Sequence, residues 1–307
     1  MSRIAFIFPG QGAQKAGMGK DFYDGTSTAK EIFDRASGLL GFSMPELCFT
    51  ENDRLDITEY TQAAMVTTSI AMMKVLMEET GIQPDVTAGL SLGEYCALYA
   101  AGVMSAEDAI TTVRKRGILM QEAVPVGIGA MAAVLAMEAE KIEEVLKEIP
   151  DVWIANYNCP GQIVISGKKE AVETACEKLK AAGAKRTIML NVSGPFHSGM
   201  LKEAGDQLGE FLEGIEIQNP RIPYVANVTA AYVTEKEEVK PLLAKQVSSS
   251  VKWEQSVRAM LADGVDTFVE IGPGKTLAGF IKKITKDVKV VNIDSLEAVR
   301  ALKESGL

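Results

Sequence analysis

Short apolar runs closed by glycine or proline alternate along this chain with stretches whose apolar positions recur at helical spacing. Residues 3–8 (RIAFIF) end at Pro9-Gly10 and predict a buried parallel strand feeding a glycine-rich turn. Residues 85–89 predict a second short buried strand that ends at Gly89. Helical periodicity covers residues 27–40, 59–79 and 92–103. Ser105 followed by Asp108 resembles a capping box, with Asp in place of the usual Glu or Gln, and opens the next helix. The greasiest stretch, residues 63–77, is broken by Thr67, Thr68, Ser69 and Lys74 and reads as a buried helix rather than a membrane span.

From about Gly127 the rhythm changes. Strand-like residues 130–136, a helix over 139–148, strands over 152–156 and 162–166, a helix over 169–182 and a strand over 186–192 follow in order. The turn residues Asn158-Cys159-Pro160-Gly161 separate the two middle strands. This β-α-β-β-α-β succession is the ferredoxin-like pattern, and it predicts a small subdomain over 127–196. It would be inserted in a larger α/β unit formed by 1–126 and 197–307. In the second part of that unit, strands are expected over 222–226, 267–271 and 288–293. Helices are expected over 200–213, 239–246 (with Pro241 in its first turn) and 253–263, then from Thr276 and at the end of the chain. Alternation of this kind implies a mostly parallel sheet covered on both faces.

Composition narrows the class. Of 307 residues, 47% are apolar and 24% charged, and the net charge is −9, the profile of a globular protein rather than of a nucleic-acid or anionic-membrane binder. An acidic protein partner would need a local basic patch. The apolar run at the N-terminus is only about six residues, too short for a signal-peptide core, which predicts a cytoplasmic protein. Cys48, Cys96, Cys159 and Cys176 are scattered without a Cys-x-x-Cys pair, and there is one histidine. Reduced, buried thiols and no metal site are expected.

Gly89-Leu90-Ser91-Leu92-Gly93 carries the chemistry. Gly-x-Ser-x-Gly between a strand and a helix is a nucleophile elbow. Chance gives about 0.1 such matches in a chain this rich in glycine, so the strand before it and the helix after it matter. A serine there sits at a helix N-terminus, where backbone N–H groups favour an oxyanion. Serine needs a base, and His197, in a turn-rich loop, is the chain's only histidine. Ser91 and His197 must therefore meet if the elbow is catalytic; otherwise His197 is a surface or helix-capping residue. Gly10 and Gly12 let backbone approach a ligand at the end of the first strand, so the Gln11 N–H could join that of Leu92, or the segment is a plain tight turn. Gly272-Pro273-Gly274 carries the same ambiguity and reads as turn geometry. Arg114, Lys115 and Arg116 spread around one helix, so at least one should leave open solvent. It is then either part of a solvated face or a guanidinium clamp for a carboxylate.

Seven ordered motifs extend this reading: FPGQG at 8–12, SLGEY at 91–95, RG with MQEAVP over 116–125, GAMAAV at 129–134, NYNCPGQIVISG at 156–167, PFHS at 195–198 and EIGPGK at 270–275. Together they resemble the malonyl-CoA–acyl-carrier-protein transacylases, the acyltransferases of fatty-acid synthesis. The resemblance covers essentially the whole chain. It implies an α/β-hydrolase-like large domain with a parallel sheet plus the inserted ferredoxin-like subdomain. It also implies Ser91 as nucleophile, His197 as base, and Gln11 and Leu92 as oxyanion donors. Arg116 would pair with the malonyl carboxylate. Gln246 would orient the histidine through its backbone carbonyl, so that no acidic triad member is needed. Asn158 and Asn227 match substrate-side positions, and Phe196 matches a malonyl-selecting pattern. Malonyl-CoA and acyl carrier protein are the implied substrates, with no cofactor and a monomeric chain.

One position departs from the pattern: Leu90 stands where the family usually has histidine. It is not the base, but it alters polarity beside the elbow. A serine hydrolase on the same elbow would pass its acyl group to water, and a non-catalytic carrier-binding scaffold would give no burst of CoA. Lys185-Arg186 and the group Lys275, Lys282, Lys283 and Lys286 are the candidates for a basic docking face, or are simply solvated.

Overall fold

The first strand, β1 (Ile4–Phe8), lies at the middle of the molecule because both of its faces are apolar. Phe6 and Phe8 enter one hydrophobic core, while Ala5 and Ile7 enter another with Trp253 and Phe268. This computed structural model describes residues 2–192 and 194–306; Met1, Ser193 and Leu307 lie outside the described residues. After β1 come α1 (Lys20–Gly25), α2 (Ser27–Leu40), α3 (Met44–Phe49) and α4 (Thr58–Thr80), then β2 (Val86–Gly89), α5 (Gly93–Ala100) and α6 (Ala106–Glu122). Sixteen residues of α4 are buried, including Thr67, Thr68 and Ser69, so the greasy stretch is an internal helix. Among the described residues no helix is long and apolar enough to cross a membrane. The Ser105 hydroxyl accepts from Asp108 N at 3.0 Å and donates to Asp108 Oδ2 at 2.7 Å. The Asp side chain returns to the capping hydroxyl.

Next come β3 (Gly129–Leu135), α7 (Ala139–Leu146), β4 (Val152–Cys159), β5 (Gln162–Lys168), α8 (Lys169–Ala181) and β6 (Arg186–Met189). They form a four-stranded sheet of order β4-β5-β3-β6 in which every pairing is antiparallel. That is the ferredoxin-like arrangement, with an apolar core on the face that receives Ile142, Val172 and Leu179. β4 runs farther than expected, through Cys159, which leaves Pro160-Gly161 as the turn. β6 is shorter than expected: its last paired residue is Met189, opposite Ala132.

A 3₁₀ turn (Gly199–Leu201) leads into α9 (Lys202–Glu213). Then follow β7 (Tyr224–Val225), β8 (Tyr232–Val233), α10 (Lys236–Gln246), α11 (Trp253–Ala262), β9 (Thr267–Ile271), α12 (Thr276–Ile284), β10 (Lys289–Ile293) and α13 (Leu296–Ser305). The larger sheet has the order β10-β9-β1-β2-β7-β8. It is parallel except for the short β8 hairpin partner. α10 begins earlier than the sequence suggests, because Asn219 Oδ1 accepts the Lys236 N–H at 3.0 Å. Pro241 therefore falls in its second turn rather than its first.

The two sheets are stitched together by main chain. Val251, after α10, pairs with Asn156 of β4; its N–H donates to Ala155 O at 2.8 Å and its carbonyl accepts from Tyr157 N at 2.9 Å. A cleft of about 660 Å³ opens between the free face of the small sheet and the carboxyl ends of β1 and β2. Ligands in open parallel sheets bind at such strand ends.

Candidate active site

Ser91 sits on the turn from β2 to α5, in left-handed backbone at φ 54°. The flanking glycines make that turn possible. A Cβ on Gly89 would lie 2.0 Å from the Gly93 carbonyl, and one on Gly93 would lie 2.3 Å from Phe8 O. Strand, helix and the end of β1 thus touch through bare backbone. Leu90 N–H donates to Phe8 O at 3.0 Å, which ties the elbow to the central strand. Asn227 braces it from behind: its Oδ1 accepts Ser91 N–H at 2.7 Å and its Nδ2 donates to Gly89 O at 2.6 Å.

The fold brings Ser91 and His197 together across 106 residues. Ser91 Oγ lies 2.7 Å from His197 Nε2. His197 Nδ1 lies 2.9 Å from the Gln246 carbonyl. A carbonyl only accepts, so Nδ1 carries the proton, and Nε2 is free to accept from the serine hydroxyl. His197 is buried, in left-handed backbone at φ 56°, on a loop held by a 2.6 Å bond from Ser198 Oγ to Pro195 O. Burial holds its pKa well below the ordinary range, at about 4; the Arg116 cation adds to this, and the Gln246 carbonyl opposes it. The imidazole is therefore neutral, the form a general base requires.

Of the three cations on α6, Arg116 turns inward and is 1% exposed. Arg114 pairs instead with Glu59 at 2.7 Å and stacks on Tyr60. Arg116 Nη2 reaches Ser91 Oγ at 3.2 Å and Gln246 Oε1 at 3.0 Å, and Nη1 reaches Gln62 Oε1 at 2.7 Å. Both oxygens beyond the serine belong to neutral amides, and no carboxylate pairs with Arg116 among the described residues. Burial lowers its pKa, opposed by Tyr95 and Glu94, yet an arginine stays charged throughout the physiological range.

Gln11, Phe196, Asn158 and Leu90 all line the cleft. The main-chain N–H groups of Gln11 and Leu92 have no protein acceptor among the described residues, and Leu92 is the residue immediately before α5. Asn158 Oδ1 is buried without a partner, which leaves an acceptor for a ligand donor. Asn227 differs from the sequence expectation. Both ends of its amide are taken by the elbow backbone, and it does not line the cleft, so it holds the serine rather than facing substrate. Leu90 packs against the core that contains Phe280, and both face the cleft, so this wall is apolar.

Two residues escaped sequence reasoning. Gln62 stands directly before the greasy stretch of α4, and that position, leading into an internal helix, was the available signal. Glu94 lies in the first turn of α5 and is 1% exposed. Burial pushes its pKa up to about 7, opposed by hydrogen bonds from Gln246 and Asn227 and by the Arg116 charge. Its marks were its place in the SLGEY motif and an acidic side chain at the start of an otherwise apolar helix.

The acyl transferase domain family model matches residues 5–303. The malonyl CoA-acyl carrier protein transacylase of Bacillus subtilis is 47% identical over 313 residues, covering 99% of this chain and 98% of the relative. The chain belongs to the malonyl CoA-acyl carrier protein transacylase family. Solved structures of such transacylases share its fold throughout. That of the Clostridium perfringens protein superposes with a TM-score of 0.95 at 43% identity, covering 99% of this chain and 96% of that one. A malonyl-transacylase solved in complex with its type II PKS acyl-carrier protein gives a TM-score of 0.96 at 38% identity, covering 99% and 100%.

Proposed function

We propose that this chain transfers the malonyl group from malonyl-CoA to the phosphopantetheine thiol of acyl carrier protein, through a malonyl-Ser91 intermediate, in fatty-acid biosynthesis. The observation that carries this reading is the Arg116 guanidinium. It lies 3.2 Å from the serine oxygen, charged and buried, and its other hydrogen bonds among the described residues run to neutral amides. A bidentate cation beside the nucleophile suits an acyl group that ends in a carboxylate.

In the first half-reaction Ser91 Oγ attacks the thioester carbonyl as His197 Nε2 takes its proton. The oxyanion of the tetrahedral intermediate rests on the Gln11 and Leu92 amides, each such donor being worth about 10²–10³ in rate. The C–S bond then breaks, and the imidazolium returns its proton to the CoA thiolate. In the second half-reaction the carrier thiol attacks malonyl-Ser91, with His197 taking the thiol proton and giving it to the serine oxygen. The Gln246 carbonyl holds the imidazole in the required tautomer throughout. Phe196 crowds an α-methyl branch, a discrimination of about 1–3 kcal/mol. The route calls on no cofactor, and we assign it to a monomer in the cytoplasm, where four free buried thiols are at home.

The test is acylation and its fate. With radiolabelled malonyl-CoA, wild type should give a burst of one CoA per enzyme and a label that moves to carrier protein rather than to water. Ser91→Ala should give neither burst nor label. A labelled Ser91→Ala protein, or quantitative loss of label to water with carrier protein present, would overturn the proposal.

A further inference from the structure

Glu94 is a buried carboxylate that the two half-reactions do not use. It forms no ion pair with a lysine or arginine among the described residues. Its Oε2 accepts from Gln246 Nε2 at 2.6 Å and from Asn227 N at 3.2 Å. Each of these partners holds a reacting group. Gln246 supports His197 through its carbonyl, and Asn227 grips the elbow through its amide.

The Gln246 side chain could face its neighbours in either of two orientations, related by exchange of Oε1 and Nε2. Above its raised pKa of about 7 Glu94 is a carboxylate, which can only accept. The other atoms near Gln246 Nε2, Ser91 O at 3.0 Å and Asn227 Oδ1 at 3.3 Å, are acceptors too. Glu94, at the shortest of these distances and the only charged one, is the strongest of the three acceptors that fix the amide nitrogen on this side. The amide oxygen must then point the other way, where it receives Arg116 Nη2. If residue 94 could donate, Ser91 O would still hold the amide nitrogen there, but the shortest and only charged of its three acceptors would be lost, and with it the firmest hold on the oxygen that meets the guanidinium.

The same arrangement explains how a cation is tolerated in the interior. A guanidinium taken out of water needs compensating charge. A direct Arg–Glu pair would supply it, but would also occupy the donors that a substrate carboxylate needs. Here the negative charge stands one side chain away. It offsets the field of Arg116, while the contacting atoms are neutral oxygens, so no protein carboxylate among the described residues competes for the guanidinium edge that faces Ser91.

We propose that Glu94 is a positioning residue for acyl-group choice: its carboxylate locks the Gln246 amide so that Arg116 presents an unpaired guanidinium to the carboxylate of the acyl group. This rests on the transferase reading above. The experiment is single-turnover CoA release from malonyl-CoA and acetyl-CoA at about pH 8.5, where Glu94 is ionised, by wild type, Glu94→Gln and Glu94→Asp, each checked for folding by its thermal melt. In Glu94→Gln the malonyl-to-acetyl ratio of kcat/KM should fall about tenfold, the scale of one charge-assisted hydrogen bond. The loss should fall on malonyl-CoA, with acetyl-CoA changed less than about threefold on that same scale. Glu94→Asp, which keeps the acceptor-only charge, should hold a ratio within about threefold of wild type. Equal loss for both substrates in Glu94→Gln, or an Asp variant that falls as far as the Gln variant, would overturn the inference. If Glu94→Gln does not fold, the Glu94→Asp ratio decides alone. Wild type that releases no CoA from malonyl-CoA would instead defeat the transferase reading, so the two failures are distinct.

Discussion

His197 works as a neutral imidazole because its surroundings exclude its charge. Burial is the larger cause and the Arg116 cation the smaller, and together they hold its pKa near 4 instead of 6.5. The base is lost as pH falls through the folded value. With acetyl-CoA, which makes no demand on the clamp, kcat/KM for acylation should hold level on acidification from neutrality and fall only near pH 4. A limb near 6.5 would show that the ring is not shielded. Arg116→Ala removes the like charge and should move that limb upward. Stability follows the same sign. An unfolded histidine binds its proton first, so this residue withdraws stability as pH falls from 6.5 towards 4. Glu94 and Glu270, both pushed up to about 7 by burial, act oppositely and withdraw stability as pH rises from 4.5 towards 7. At this scale sequence was most informative where a side chain's chemistry is rare, as with a lone histidine and an elbow serine. Asn227 could be placed near the site but not on the correct side of it, because only packing decides whether an amide faces ligand or backbone.

Among the elements, the β2–α5 junction is the most tightly constrained. Gly93→Ala would drive a methyl group into the Phe8 carbonyl of the neighbouring strand, and backbone cannot yield as a side chain does. We expect a destabilisation of about 1–3 kcal/mol, read as a lowered Tm, together with loss of the CoA burst. An unchanged melt would mean that strand and helix do not meet as closely as described. Long amphipathic or wholly apolar elements were legible in the sequence because their periodicity spans several turns. The six-residue α1 and α3 and the two-residue β8 were not, since so few residues cannot establish a period. β6 stops at Met189 because the chain turns there towards the cleft, a tertiary event with no local signal.

In the whole molecule the reaction is assembled from two sheets. The large sheet supplies Ser91, the chain leaving the small sheet supplies His197, and Val251 fastens one sheet to the other. The order of strands and helices made both sheets readable, whereas the cleft between them follows from packing. α12 borders that cleft through Thr276 and Phe280 and carries exposed Lys282 near its other end, with exposed Lys286 just beyond it. On a chain of net charge −9 such a basic patch is where an acidic carrier would be steered. Reversing both lysines to glutamate should raise KM for carrier protein by roughly tenfold at low salt. The malonyl-CoA burst, which involves no carrier, should stay as it is. Transfer at the wild-type rate would place the docking face elsewhere, with Lys185 and Arg186 next in line.

The four cysteines have a consequence for thioester chemistry. All are buried, and burial raises each thiol pKa, that of Cys48 to about 12. A protonated, enclosed sulfur cannot compete for an acyl group with the incoming thiol. The enzyme thus handles activated thioesters without acylating itself at sulfur. Thiol-titrating dyes added to the native protein should report released CoA against almost no background, and alkylating reagents should leave activity untouched.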